Sequence, residues 1–130
     1  MDKDELNQLS EQIIGAAIEV HRELGPGILE HSYEAALQHE LALHGISSVR
    51  QLLLPLTYKG LVIPDSYRID LLVDDRIVVG LKTVKALEDV HTAQVLTYLR
   101  MSGKSLGLLI NFNVPLLRQG LKHIVHNFPS

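Results

Sequence analysis

The chain lacks cysteine, lacks long hydrophobic runs and carries little excess charge of either sign. The absence of cysteine among 130 residues excludes disulfides, thiol catalysis, zinc–thiolate sites and iron–sulfur clusters. No apolar run approaches the roughly 20 residues of a membrane span, and the charged amino terminus does not resemble a signal peptide. A net charge of −3 argues against strong sequence-independent binding to DNA, which usually leaves a basic surface. We therefore expect a cytoplasmic protein with no membrane partner.

The remaining composition is that of an ordinary globular domain. Hydrophobic residues make up 46% of the chain and charged residues 21%, and 130 residues suffice to bury a core without covalent cross-links. No repeat, low-complexity tract or linker divides the sequence. We expect a single domain over residues 1–130.

The hydrophobic periodicity predicts an α/β fold. Helical spacing runs from Leu6 to Leu24, from Leu29 to His44 and from Glu88 to Met101, and a glycine follows each segment. The segments with strand character are Val49 to Tyr58, Leu61 to Ile63, Arg68 to Val73, Ile77 to Lys82 and Ser105 to Phe112, and Leu121 to Val125 fits a last edge strand. The order α-α-β-β-β-α-β predicts a central mixed β-sheet flanked by helices.

The two strands around Asp74-Asp75 are the most informative part of the sequence. Alternation predicts one buried face, formed by Ile69, Leu71 and Val73 on the first strand and by Ile77, Val79 and Leu81 on the second. If the loop spans residues 74–76, Asp70 lies opposite Gly80 at a Cβ separation of roughly 5 Å. Lys82 shares the face of these two residues. A second acid at position 80 would share a metal ion with Asp70, and the chain has glycine there.

Three segments together resemble one family. Residues 27–33 read GILEHSY and resemble the motif that names the GxxExxY family. Asp70 followed by GLK at 80–82 resembles the D…(E/D)xK core of the PD-(D/E)XK nuclease superfamily. Residues 91–99, HTAQVLTYL, resemble the HxAQxxxYL helix of the same family and contain the QxxxY spacing of RecB-like exonucleases. The resemblance covers about residues 10–126 and implies a restriction-endonuclease-like core.

The resemblance implies metal-dependent hydrolysis of nucleic-acid phosphodiesters, with DNA rather than RNA as the partner. Mg²⁺ or Mn²⁺ would be held by oxygen ligands, polarise the phosphoryl group and activate water. By resemblance, Asp70 is the central ligand, Glu30 a further acid, the Leu81 carbonyl a backbone ligand and Lys82 the catalytic lysine. Three residues of the third predicted helix would contact ligands or the scissile strand: His91, Gln94 and Tyr98.

Gly80 departs from the family pattern, which has glutamate at this position. Changes to residues around the metal ligands typically lower metal affinity or activity about 10–100-fold, and the loss of a direct carboxylate ligand should lower them at least as much. We therefore expect a metal that is bound weakly or not at all. Glu88 is the candidate replacement, although an acid in a first helical turn usually serves the helix dipole. Glu34 could add another acid, but we expect it on a solvated helix face.

Plainer interpretations stay open at each position. Asp70 and Lys82 could form a simple cross-strand ion pair, Glu30 could cap its helix, and Tyr33 and Tyr98 could be core residues. Gly80 could mark a close approach of backbone to a neighbouring element. Three functions therefore remain: a weakened nuclease, an inactive nucleic-acid-binding domain, and a protein-interaction domain that forms a homodimer.

Overall fold

A computed structural model describes residues 2–129 and shows three α-helices and a five-stranded sheet. The elements, in chain order, are α1 (Lys3–Leu24), α2 (Glu30–Leu43), β1 (Ser48–Tyr58), β2 (Leu61–Val73), β3 (Ile77–Lys82), α3 (Asp89–Ser102), β4 (Leu106–Asn111), a 3₁₀ turn (Leu117–Gly120) and β5 (Leu121–Val125). The predicted α/β class and the last edge strand are confirmed. None of the helices in this part of the chain is long and apolar enough to cross a membrane.

The sheet is mixed, with the strands in the order β1-β2-β3-β4-β5. β3 and β4 are parallel, and the other neighbours pair antiparallel. A parallel pair needs a crossover connection, which α3 provides. β4 is buried along its whole length because helices cover both of its faces.

Helices cover the two faces of the sheet separately. α1 and α2 pack on one face, where the core contains Leu71, Val73, Ile77, Val79, Leu81, Leu106, Leu108, Ile110 and Phe112. α3 packs on the other face, where the core contains Ile69, Leu72, Val78, Val95, Leu99, Leu109 and Ile124. The shared face predicted for Leu71 and Val73 with β3 is confirmed.

The prediction for Ile69 is wrong, because this residue packs under α3 and not with Leu71. The alternation is interrupted at Asp70. Asp70 and Gln51 stand between the paired residues of β1 and β2, and Gln51 has a φ of 55°, in the left-handed region. The irregularity turns one part of β2 relative to the other, and Asp70 lies at the change.

β2 is also longer than the sequence signals indicate. Leu61 to Ile63 belongs to the same strand as Arg68 to Val73, despite Pro64 between them. The register shifts here, so that Pro55 of β1 faces three residues, 64–66, of β2. Pro64 is tolerated because a residue in a bulge does not need to donate a hydrogen bond to the neighbouring strand.

Candidate active site

A small polar cavity of about 140 Å³ lies where β2, β3, α2 and α3 meet. Its lining residues are Glu30, Arg68, Asp70, Val79, Gly80, Lys82, Gln94, Val95 and Tyr98. Two acids, two cations, an amide and a phenol thus converge from four different elements. Such convergence of polar groups on one cavity is the usual sign of a binding or catalytic site.

Asp70 is half-buried, and its carboxylate takes the place of a backbone acceptor between β2 and β3. The pairing of β2 with β3 ends at Leu71 and Val79, and two residues further along β3 the Leu81 amide donates to Asp70 Oδ2 at 3.0 Å. The two strands therefore separate at Asp70, which opens the cavity. Asp70 Oδ1 accepts no hydrogen bond from residues 2–129 and is available to a ligand.

Burial raises the pKa of Asp70 above its usual value of 3.8, and the charge of Glu34 raises it further. The Leu81 hydrogen bond and the positive charges of Lys82 and Arg68 lower it in part. Ionisation of this carboxyl group therefore carries a desolvation cost. A bound cation would relieve that cost.

Glu30 is the first residue of α2 and brings a second carboxylate to the same cavity. Its pKa is raised first by burial and next by the negative charge of Asp70. Lys82 acts in the opposite direction. The effect of the Asp70 charge on the pKa of Glu30 indicates that the two acids share one partly desolvated space.

The turn before α2 determines where Glu30 lies. Tyr33 is fully buried, stacks on Phe112 with ring centroids 4.5 Å apart, and donates its hydroxyl hydrogen to the Gly25 carbonyl. The same hydroxyl accepts from the Ile28 amide at 3.1 Å. One side chain therefore braces both ends of a turn that includes Gly27, whose φ is 96°.

Within the described part of the chain, the two cations of the cavity form no salt bridges with its acids. Across residues 2–129, neither Lys82 nor Arg68 forms a salt bridge, so the simple Asp70–Lys82 ion pair is not what the structure shows. Sequence reasoning missed Arg68. Its position two residues before Asp70, on the same strand, was the available signal.

α3 contributes an amide and a phenol that are already hydrogen-bonded to each other. Gln94 Nε2 donates to the Tyr98 hydroxyl at 3.0 Å, one helical turn away. The Tyr98 ring stacks on Tyr67 of β2 with centroids 5.4 Å apart. This stacking holds the Gln94–Tyr98 pair over the cavity.

Gly80 is in direct contact with α3. A Cβ atom at this position would lie 3.1 Å from Val95 Cγ2 and 3.6 Å from Leu109 Cδ1. The first distance is short enough that Val95 would have to move by a few tenths of an ångström. Close approach of a neighbouring element therefore explains the glycine in packing terms.

Comparison with known proteins agrees with this arrangement. A sequence profile described as the PD-(D/E)XK nuclease superfamily matches residues 7–124. The chain belongs to this superfamily. No curated protein and no solved structure matches the chain. Nucleases of the PD-(D/E)XK superfamily generally use Mg²⁺ or Mn²⁺, and membership suggests nucleic acid as the partner.

Five of the six side chains predicted for a PD-(D/E)XK site line the cavity, and His91 does not. His91 Nδ1 accepts from the Glu88 amide at 2.9 Å, and the His91 amide donates to the Glu88 backbone carbonyl at 3.0 Å. The His91 ring is thus engaged at the start of α3. Glu88 stands at this helix start and is not among the residues that line the cavity.

The expectation of a solvated Glu34 is wrong. Glu34 is 1% exposed. Its Oε1 accepts from Arg50 Nε at 3.0 Å, and both of its oxygens accept from Gln51 Nε2 at 2.8 Å. Helical periodicity missed this because the partners come from β1, far along the chain. Glu34 links α2 to β1 of the sheet.

The carboxylates present fit a hard divalent cation, although the ligand set is small. No group of three or more His, Cys, Asp or Glu residues that could hold a metal occurs in the described range. Mg²⁺ commonly binds through one or two carboxylates and completes its shell with waters and substrate phosphates. Asp70 and Glu30 meet that requirement.

Proposed function

We propose that this chain is a GxxExxY-type nuclease domain that hydrolyses phosphodiester bonds of nucleic acid with Mg²⁺ or Mn²⁺, at a rate lowered by the missing acid at position 80. One observation carries the proposal. Two partly desolvated carboxylates, Asp70 and Glu30, line a single cavity with Lys82 and Arg68, and across residues 2–129 neither cation forms a salt bridge. Ionisable groups with perturbed pKa values that share one cavity are characteristic of functional sites.

Each residue has a distinct role in this proposal. Asp70 and Glu30 hold the cation, together with the Leu81 carbonyl. In an extended strand the N–H and C=O of one residue point to the same side, and the Leu81 N–H points to Asp70. Mg²⁺ or Mn²⁺ held there would polarise the phosphoryl group and lower the pKa of the attacking water.

The remaining residues act on the water and the nucleic acid. Water adds to phosphorus, one ester P–O bond breaks, and the released strand end takes up the proton as a hydroxyl. Lys82 orients the water or stabilises the charge that develops on the phosphoryl oxygens. Gln94 and Tyr98 contact the strand that is cut.

The matched variants Gly80→Glu and Gly80→Gln test this proposal. Both place side chains of the same size against Val95, but only glutamate restores a negative ligand. On linear, nicked and single-stranded DNA with Mg²⁺ or Mn²⁺, we expect Gly80→Glu to raise cleavage by at least about tenfold. Asp70→Ala in that variant should abolish the gain.

Val95 is the control for packing. Combining Val95→Ala with Gly80→Glu removes the methyl group that a Cβ at position 80 would approach at 3.1 Å. If crowding misplaces the glutamate, the double variant should cleave DNA at least as fast as Gly80→Glu alone. Equal activity of the glutamate and glutamine variants, with and without Val95→Ala, would show that no acid is missing at this site.

Binding without hydrolysis is the second candidate function. It is favoured by Gly80 itself, because the position that faces Asp70 carries no carboxylate. A chain that binds DNA but cleaves none, even with Mn²⁺, would establish this alternative. A protein-interaction role in a homodimer would follow from the absence of any affinity for nucleic acid at low salt.

A further inference from the structure

The cavity keeps its opposite charges apart. Glu30 and Asp70 contribute two negative charges, and Arg68 and Lys82 contribute two positive ones. Within residues 2–129 none of the four forms a salt bridge. Free charges of both signs in one cavity indicate a ligand that itself carries both signs, such as a divalent cation together with an anion.

The balance of charge specifies the anion more closely. The four side chains sum to zero, so a divalent cation held by the two carboxylates brings the cavity to about +2. With an acid in place of Gly80, the same loaded cavity would carry about +1. An internal phosphodiester is a monoanion, whereas a terminal phosphate carries about −1.5 to −2 charges at pH 7. The charge of about +2 expected with Gly80 therefore matches a terminal phosphate better than an internal phosphodiester.

We propose that this site recognises a terminal phosphate of a nucleic-acid strand in preference to an internal phosphodiester, with Arg68 and Lys82 contacting the phosphate oxygens. The inference rests on the proposed function and assigns its substrate class. Arg68 suits the role because a guanidinium presents a planar fork of donors that binds two phosphate oxygens at once. Lys82 supplies a point charge from the neighbouring strand.

The other lining residues agree with this ligand. Gln94 and Tyr98 line the same cavity of about 140 Å³ and offer an amide and a hydroxyl to the adjoining nucleotide. The strand beyond the phosphate would run over α3.

Binding measurements test the preference without depending on catalysis. Fluorescence anisotropy with Mg²⁺ at pH 7.5 would compare single-stranded oligonucleotides that carry a 5′-phosphate, a 3′-phosphate or hydroxyls at both ends, with phosphorothioate linkages to prevent cleavage. We expect at least one phosphorylated strand to bind about tenfold more tightly than the hydroxyl strand, as one further charge in a desolvated site allows. Saturating inorganic phosphate should reduce that strand to the affinity of the hydroxyl strand.

Two variants assign the preference to this site. Arg68→Gln should bring the phosphorylated and hydroxyl strands within twofold of each other, and Gly80→Glu should narrow the gap by lowering the charge of the loaded cavity. Arg118→Gln, an exposed arginine of the 3₁₀ turn outside the cavity, is the control and should keep the full preference. A preference that survives Arg68→Gln would overturn the assignment.

The outcomes separate the two proposals. Equal affinity for all three strands, or no competition by inorganic phosphate, refutes terminal-phosphate recognition and leaves the nuclease proposal standing. No affinity for any strand contradicts both. A preference that is lost with Arg68→Gln but kept with Arg118→Gln supports the inference.

Discussion

Tyr33→Phe is the most direct test of how the structure positions its acidic site. The substitution keeps the ring that stacks on Phe112 and removes only the hydroxyl. That hydroxyl makes two hydrogen bonds, one to the Gly25 carbonyl and one from the Ile28 amide. Glu30 starts α2 directly after this braced turn, so the variant acts on the site without touching the cavity.

The expected cost follows from the two lost contacts. A hydrogen bond contributes about 0.5–1.5 kcal/mol net, so we expect Tyr33→Phe to lower the free energy of unfolding by about 1–3 kcal/mol. For a domain of this size, each kcal/mol shifts Tm by about 4 °C, which gives a fall of about 4–12 °C. Thermal and urea unfolding of the natural chain and the variant measure this directly.

The functional consequence has its own measurement. A looser turn lets Glu30 move away from Asp70, and we expect Mn²⁺ affinity, measured by calorimetry, to fall about 10–100-fold, as for other outer contacts of a metal site. Glu30→Gln is the reference for losing the ligand's charge altogether. An unchanged Tm would refute the bracing role of Tyr33. A lower Tm with unchanged Mn²⁺ affinity would show that the turn does not position Glu30.

Two further predictions concern the buried acids. Because burial raises the pKa of Asp70, the folded chain favours its neutral form, and its ionisation destabilises the fold as pH rises through that pKa. Asp70→Asn should therefore have a higher Tm than the natural chain at pH 7, with the gap closing as pH falls toward 3.8; a constant gap would contradict the ionisation account. Arg50→Ala leaves buried Glu34 with Gln51 alone and should cost about 2–3 kcal/mol in urea unfolding, somewhat less than a fully buried pair because Arg50 is partly exposed. Adding Glu34→Gln should recover part of that loss, and an equally unstable double variant would show that the charge is not the cause.

The sequence predicted the parts of the fold and site that depend on local patterns. The loop at residues 74–76 fixed the register that brings Asp70 next to Gly80, and helical spacing placed Gln94 and Tyr98 one turn apart. Both predictions concern residues close together in the chain. Strand and helix periods suffice to relate such residues.

The features that were missed depend on contacts between distant segments. Ile69 changes face because of the irregularity opposite Gln51, on another strand. Glu34 is buried because Arg50 and Gln51 reach it from β1. His91 has a polar ring at helical spacing from the site, yet its partner is the backbone of Glu88. No periodicity carries this information, because each outcome is decided by contacts with another segment or by local hydrogen bonds.

Gly80 also allows α3 to approach the sheet closely. Val95 lies over two glycines on neighbouring strands: a Cβ at Gly107 would lie 2.7 Å from its Cγ1, and a Cβ at Gly80 would lie 3.1 Å from its Cγ2. The two methyl groups of Val95 thus fill the space that side chains at Gly107 and Gly80 would otherwise occupy. Because α3 also carries Gln94 and Tyr98, the residue at position 80 and the position of these two side chains are physically linked. An acid introduced at position 80 therefore changes the cavity twice, through its charge and through the distance of α3 from the sheet. The glutamine variant is the control that separates these two effects.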